Sequence, residues 1–168
     1  ITIELENLPK SFDGYTIVHL SDLHNKSFGE AQERVIRQIE KARPDIIVFT
    51  GDLIDSRHYG LKNSIELMKR GIGIAPIYYV TGNHEWRSGK FESLRELLLD
   101  IGVKVLEDTH DTIERDGHII YIIGIDDPSK VHGGNWHMQE WEVTRKSIEK
   151  AMDGIFPDNH LKILLAHR

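Results

Sequence analysis

The sequence predicts an α/β fold, and three observations carry that prediction. Short β-branched or apolar runs of the kind that form buried parallel strands recur at Tyr15 to Leu20, Ile46 to Thr50, Ile77 to Thr81 and Leu161 to Ala166. Amphipathic patterns separate the first three runs, which is the strand–helix–strand rhythm of βαβ units. After Gly102 that rhythm stops, and short runs succeed one another without helices. Those later runs should add antiparallel strands.

Taken in order, Ile1 to Leu8 alternates apolar and polar residues as a half-buried strand does, before Pro9 ends it and Asp13-Gly14 turns the chain. Tyr15 to Leu20 is the first buried strand. Glu30 to Ala42 places Ala31, Val35, Ile39 and Ala42 on one helical stripe, and Pro44 closes it. Ile46 to Thr50 is the second strand, Ser64 to Arg70 the next helix, Ile77 to Thr81 the third strand and Phe91 to Ile101 a further helix. Val103 to Leu106, Thr112 to Glu114 and His118 to Ile125 read as antiparallel strands, with Asp116-Gly117 as a hairpin turn. A loop, Lys130 to Asn135, precedes a helix over Trp136 to Met152, and Leu161 to Ala166 closes the set as a strand. No internal repeat, low-complexity tract or long linker divides the chain, so residues 1–168 are expected to form a single domain.

Composition narrows the function classes. Of 168 residues, 39% are hydrophobic and 29% charged, enough apolar material for a core. No apolar run approaches the roughly 20 residues of a membrane-spanning helix. With no cysteine there is no disulfide framework, no thiolate metal site and no cysteine nucleophile. A net charge of −6 without a basic block argues against an extended nucleic-acid surface. Phosphate-loop, dinucleotide and nucleophile-elbow motifs are all missing, which removes NTPase, dinucleotide enzyme and serine hydrolase. The chain opens on Ile1 rather than Met, so an upstream export signal or membrane anchor stays open, and with it a cytoplasmic or membrane-associated address.

The chemistry lies in the residues just beyond each strand. The first strand ends in Asp22-Leu23-His24, the second in Gly51-Asp52, the third in Gly82-Asn83-His84 and the last in His167. In a parallel sheet all those carboxyl ends share one edge, the edge where open α/β sheets bind ligands. Carboxylate, imidazole and amide oxygen without sulfur suit manganese, iron or zinc. Singly, an Asp after a strand is most often a helix cap and Asn-His after Gly a turn. Four strand ends together outweigh that reading. His19, inside a strand, is expected to be a hydrogen-bonded sheet residue. His58, His110, His118, His132, His137 and His160 should be solvated. Trp136 and Trp141 read as packing residues, Trp86 could line the mouth of the pocket, and Asp127 could support the site or face substrate.

At these residues the chain resembles the calcineurin-like metallophosphoesterases. Asp22-Leu23-His24, Gly51-Asp52-Leu53-Ile54-Asp55, Gly82-Asn83-His84-Glu85 and His167 stand in the order of that family's D-x-H, G-D-x-x-D, G-N-H-[DE] and strand-end H. The opening is most similar to a bacterial branch whose members are often exported or membrane-attached. The resemblance implies a four-layer αββα sandwich of two mixed sheets. It implies two divalent cations, one held by Asp22 and His24, the other by Asn83 and His167, with Asp52 bridging both. It makes His84 the proton donor and Asp55 its orienting partner. Two cations about 3.5–4 Å apart clamp a phosphate and acidify a bridging water into a hydroxide nucleophile. Where some members carry Arg after the second Asp, this chain has Ser56, with Arg57 one further on. The family's G-H-x-H does not occur before Arg168, so the domain is expected to be incomplete at its C-terminus, with five side-chain ligands in place of seven.

The expected activity is hydrolysis of a phosphodiester or phosphomonoester. The alternatives are a nuclease of the same fold, which the acidic balance disfavours, and a catalytically weak fold acting as a protein-binding scaffold, which has no use for a proton donor at His84.

Overall fold

A computed structural model describes residues 1–131, 140–155 and 160–168. Four parallel strands, β1 (Ile17–Leu20), β2 (Ile46–Thr50), β3 (Ile77–Val80) and β4 (Lys104–Val105), lie side by side in chain order. Helices α1 (Glu33–Ala42), α2 (Lys62–Ile72) and α4 (Phe91–Ile101) cross between them, and a short α3 (Asn83–Ser88) comes directly after β3. Successive side chains of β2 and β3 point to opposite faces, and both faces are buried. Ile47, Phe49, Ile77 and Tyr79 meet Ile36, Ile39, Leu67, Met68, Leu94 and Leu98 of the helices. Ile46, Val48, Tyr78 and Val80 turn the other way, onto a second sheet.

That second sheet is β5 (Thr109–Arg115), β6 (His118–Gly124) and β7 (Lys162–Leu165). The β5–β6 pair is an antiparallel hairpin whose turn residues Asp116 (φ 52°) and Gly117 (φ 76°) both take the left-handed conformation that a two-residue turn needs. Strand β7 pairs parallel to β6. Ile120, Ile122 and Leu165 face the first sheet, while Ile123 and Ile125 face α5 (Glu140–Ala151) through Ala151 and Ile148. Helix, sheet, sheet, helix is the αββα sandwich. Each fully buried Ile, Leu, Val or Phe contributes about 1.5–3 kcal/mol, so the two cores that share β2 and β3 fix those strands most firmly.

Three expectations change. Ile1 to Leu8 forms no strand, and Ile1, Ile3 and Leu5 stand exposed; alternation alone makes no strand where no neighbour pairs with it. β4 pairs parallel with β3, Tyr78 opposite Lys104, because α4 returns the chain as one more βαβ unit. The last strand belongs to the second sheet, so the four strand ends do not share one sheet edge. Of the helix expected over Trp136 to Met152, Glu140–Ala151 is observed; residues 132–139, with His132, Trp136 and His137, lie outside the described residues.

Candidate metal centre

Beyond β1 and β2 the chain continues as two adjacent loops. Asp22 N–H donates to Gly51 O (3.1 Å), His24 N–H to Asp52 O (2.9 Å) and Asn25 N–H to Leu53 O (2.9 Å). Asp22, His24, Asn25 and Asp52 all hold positive φ, between 49° and 57°. L-residues adopt that region at a cost, and it persists where surroundings over-determine it, which happens most at functional sites. One such constraint is the Asn25 side chain, whose oxygen accepts from Asn63 N–H (3.0 Å) and Ser64 N–H (3.1 Å) in the first turn of α2.

The loop after β3 closes on the other two. Gly82 has an ordinary φ of −107°, so its requirement is space: a Cβ there would lie 2.5 Å from Asp52 N and overlap the Asp52 carboxylate. A Cβ at Gly51 would stand 2.5 Å from Gly82 N and 2.8 Å from His167 Nδ1. Asp52 Oδ1 accepts from His84 N–H at 2.9 Å. Beneath them the fully buried Glu85 accepts from Gly82 N–H (2.6 Å), Asp52 N–H (2.9 Å) and Ile54 N–H (3.2 Å). Burial pushes its carboxyl above the ordinary range, and the three N–H groups partly offset that. In the sequence Glu85 stands only as the last letter of a motif, with no role of its own. The signal was faint, since its partners are backbone groups rather than side chains.

Around Asp52 Oδ2 three imidazole nitrogens converge: His167 Nε2 at 3.6 Å, His24 Nε2 at 3.7 Å and His84 Nε2 at 3.9 Å. His24 Nε2 is also 3.6 Å from Asp22 Oδ1. Two clusters of potential donors result, His24–Asp52–His84 and Asp22–Asp52–His167, each close enough to share a cation, and Asp52 belongs to both. These separations are too long for hydrogen bonds. They are near the spacing of donors around a shared cation, since two arms of about 2.1 Å at the tetrahedral angle end about 3.4 Å apart. Asp52 is 4% exposed and forms the floor, whereas the Asp22 side chain, 56% exposed, forms an open lip. His24 Nδ1 is buried without a hydrogen-bond partner among the described residues. Imidazoles and carboxylates gathered within 4.8 Å of one another, without sulfur, form a donor set that fits divalent metal.

Hydrogen bonds at the far ring nitrogen separate the histidines. His167 Nδ1 faces the Thr50 carbonyl at 2.7 Å, so it carries the proton and leaves Nε2 a bare lone pair, the form that ligates metal. His84 Nδ1 accepts from Ser56 N–H at 3.0 Å, so the neutral ring carries its proton on Nε2. The Asp55 carboxylate lies 3.7 Å from His84 Nδ1, an ion-pair distance rather than a hydrogen bond. Its Oδ1 instead accepts from Arg57 N–H (2.7 Å) and His58 N–H (3.3 Å), and the Arg57 contact leads in holding the Asp55 carboxyl below its ordinary range. Asn83 opens α3, and its amide is best oriented with oxygen accepting from His84 N–H (3.2 Å) and Arg87 Nη1 (3.3 Å).

A family model for calcineurin-like phosphoesterases matches residues 15–168. The chain belongs to that family. Among its relatives, a Danio rerio transmembrane protein with metallophosphoesterase domain is 31% identical over 176 aligned positions, covering 100% of this chain and 38% of that protein. A Bacillus subtilis protein described as an uncharacterized metallophosphoesterase is 32% identical over 67% of this chain and 43% of its own length. A Rhodococcus erythropolis protein described as a probable cyclic nucleotide phosphodiesterase is 37% identical over 54% of this chain and 32% of its own length. The chain thus spans less than half of each. Metal-dependent phosphoester hydrolysis is the chemistry of this calcineurin-like family. Among the described residues no helix is long and apolar enough to cross a membrane.

The remaining candidates of the calcineurin-like chain fall outside the centre. His19 Nε2 pairs with Thr50 Oγ1 at 2.7 Å on the sheet, as expected, and His58 is solvated. His110 is not: it is half-buried, bonding the Ala151 carbonyl (2.8 Å) at the end of α5, edge-on to Tyr121. His118 approaches Ser11, and the His160 ring lies 6.1 Å from that of Tyr121. Trp86 packs on Phe91 and donates its indole N–H to Thr81 Oγ1 (2.9 Å). Trp141, expected to pack, is 68% exposed. Asp127 pairs with Arg168, the neighbour of His167.

Proposed function

We propose that this chain carries the catalytic core of a phosphodiesterase that binds two divalent cations across Asp52. The observation that carries the reading is the membership of Asp52 in both donor clusters, with His84 presenting a proton-bearing nitrogen, not a ligand, to the same point. By the family pattern Asp22 and His24 would hold one cation and His167 the other, whereas the donor atoms here cluster as His24–Asp52–His84 and Asp22–Asp52–His167; the Asn83 amide would add an oxygen donor once it turns from Arg87. Bound divalent cations supply charge neutralisation for the phosphate and an acidified water. To protonate the departing oxygen His84 would act as imidazolium, giving up the Nε2 proton and returning to the neutral ring; the neutral ring's Nε2–H can only hydrogen-bond that oxygen. Protonation of Nδ1 would replace the bond from Ser56 N–H, and the Asp55 carboxylate, 3.7 Å away, is the group that would stabilise the charged ring. A diester is favoured over a monoester because a 37% identical relative is described as a probable cyclic nucleotide phosphodiesterase.

The test is metal analysis of the purified full-length protein followed by turnover of bis-p-nitrophenyl phosphate and p-nitrophenyl phosphate with added manganese. Bound metal with faster diester turnover supports the reading. Absence of both metal and turnover would hand the fold to a protein-binding role.

A further inference from the structure

We propose that Thr81 is a positioning residue for the metal centre, its hydroxyl latching the loop after β3 to the loop after β6 and thereby setting where Asp52 sits. The inference rests on the proposed metal binding across Asp52. Thr81 is fully buried, with 0% exposure. Its Oγ1 donates to Asp126 Oδ1 (2.8 Å) and accepts from Trp86 Nε1 (2.9 Å) and Asp127 N–H (3.1 Å). One donor and two lone pairs are all a hydroxyl possesses, so the group is saturated.

Its partners are themselves fixed. Asp126 and Asp127 are each 2% exposed, directly beyond β6 in the second sheet. Asp126 Oδ2 takes Lys130 Nζ at 2.6 Å, and Asp126 N–H donates to Asp108 Oδ1 at 3.0 Å. The Asp127 carboxylate holds Arg168 through Nε (2.7 Å) and Nη2 (3.1 Å), one residue beyond His167. The hydroxyl therefore joins the sheet that supplies Asp22, His24 and Asp52 to the sheet that supplies His167.

Transmission to the ligands is short. Gly82 comes directly after Thr81 and sits so close to Asp52 that no Cβ fits between them. A displacement of Thr81 by a few tenths of an ångström has no slack to absorb it and moves the carboxylate shared by both ligand groups. Valine at position 81 keeps the shape of threonine while leaving the Asp126 oxygen and two N–H donors unpaired in the interior.

The experiment titrates manganese into the chelator-stripped full-length protein by calorimetry, for wild type, Thr81→Val and Thr81→Ser, and measures each denaturation midpoint in EDTA. Thr81→Val is expected to weaken manganese affinity about 10-fold or more, the effect typical of losing a group that orients ligands. Thr81→Ser, which restores the hydroxyl, should return to about 2-fold of wild type or better. A Thr81→Val protein that binds manganese as tightly as wild type, whatever its midpoint, would overturn the latch. If Thr81→Val does not fold, Asp126→Ala removes the acceptor on the other side of the latch; weaker manganese binding supports the latch, and unchanged binding sinks it. Failure of wild type to bind manganese would instead remove the metal reading itself, and the latch with it.

Discussion

The imidazole of His167, delivered by β7 of the second sheet, is oriented by the backbone carbonyl of Thr50 at the end of β2 in the first, across 2.7 Å. That bond places Nε2 against Asp52 and fixes its lone pair inward. The centre is therefore assembled at the seam of two sheets, and its integrity depends on the packing that holds Val48, Tyr78 and Val80 against Ile120, Ile122 and Leu165.

Asp52→Asn should abolish metal binding and turnover together. The amide oxygen can still accept from His84 N–H, so the loop keeps its shape, but the negative charge common to both ligand groups is gone. Elemental analysis after dialysis, alongside bis-p-nitrophenyl phosphate turnover, checks this. A variant that retains metal at wild-type stoichiometry would remove Asp52 from the bridging position.

His84→Ala should leave metal content unchanged and lower turnover by about 10² to 10⁴, the range for a lost proton donor. Asp55→Asn should cost less, because His84 Nδ1 is already held by Ser56 N–H at 3.0 Å and Asp55 stands 3.7 Å away. Steady-state kinetics with paired metal analysis separates the two. Equal metal loss in both variants would contradict these assignments.

Much of this candidate centre was legible because an α/β topology collects strand ends, and Asp22, His24, Asp52 and His84 each stand a few residues beyond one. His167 was legible as a donor but not in its route, since local sequence does not tell which sheet a strand joins. Glu85 and Thr81 were not legible as constraints. Among their partners are backbone groups and a carboxylate 31 to 46 positions away, such as Asp52 N–H and Asp127 N–H, and only the fold brings them together. Ile1 to Leu8 shows the converse: a strand-like alternation that no strand among the described residues pairs with.

Gly82→Ala should destroy metal binding through sterics alone. At φ −107° alanine suffers no backbone strain, yet its Cβ would occupy the space of the Asp52 carboxylate. Gly14→Ala is the contrasting case: its φ of +73° is strained but no atom lies within 4 Å of the added Cβ. It should lose about 1–2 kcal/mol and keep its metal. Manganese titration and denaturation midpoints of both variants read the difference; Gly82→Ala binding manganese normally would mean the loop yields.

Alkaline unfolding should report the seam near Tyr15. Its ring meets Phe12 edge-on with centroids 5.3 Å apart, and burial, reinforced by the charges of Asp45 and Tyr78, pushes its hydroxyl up to about 12 against the opposing pull of Arg115. The folded state thus holds this proton more tightly than the unfolded chain, whose tyrosines titrate near 10.0. Stability from Tyr15 is complete below that value and is lost as pH rises from there toward about 12. Urea midpoints measured in EDTA across that interval should fall for wild type and fall less steeply for Tyr15→Phe. Some decline should persist in the variant, because burial also raises the Tyr78 hydroxyl. Identical slopes for the two proteins would show that the Tyr15 hydroxyl meets the same surroundings folded and unfolded.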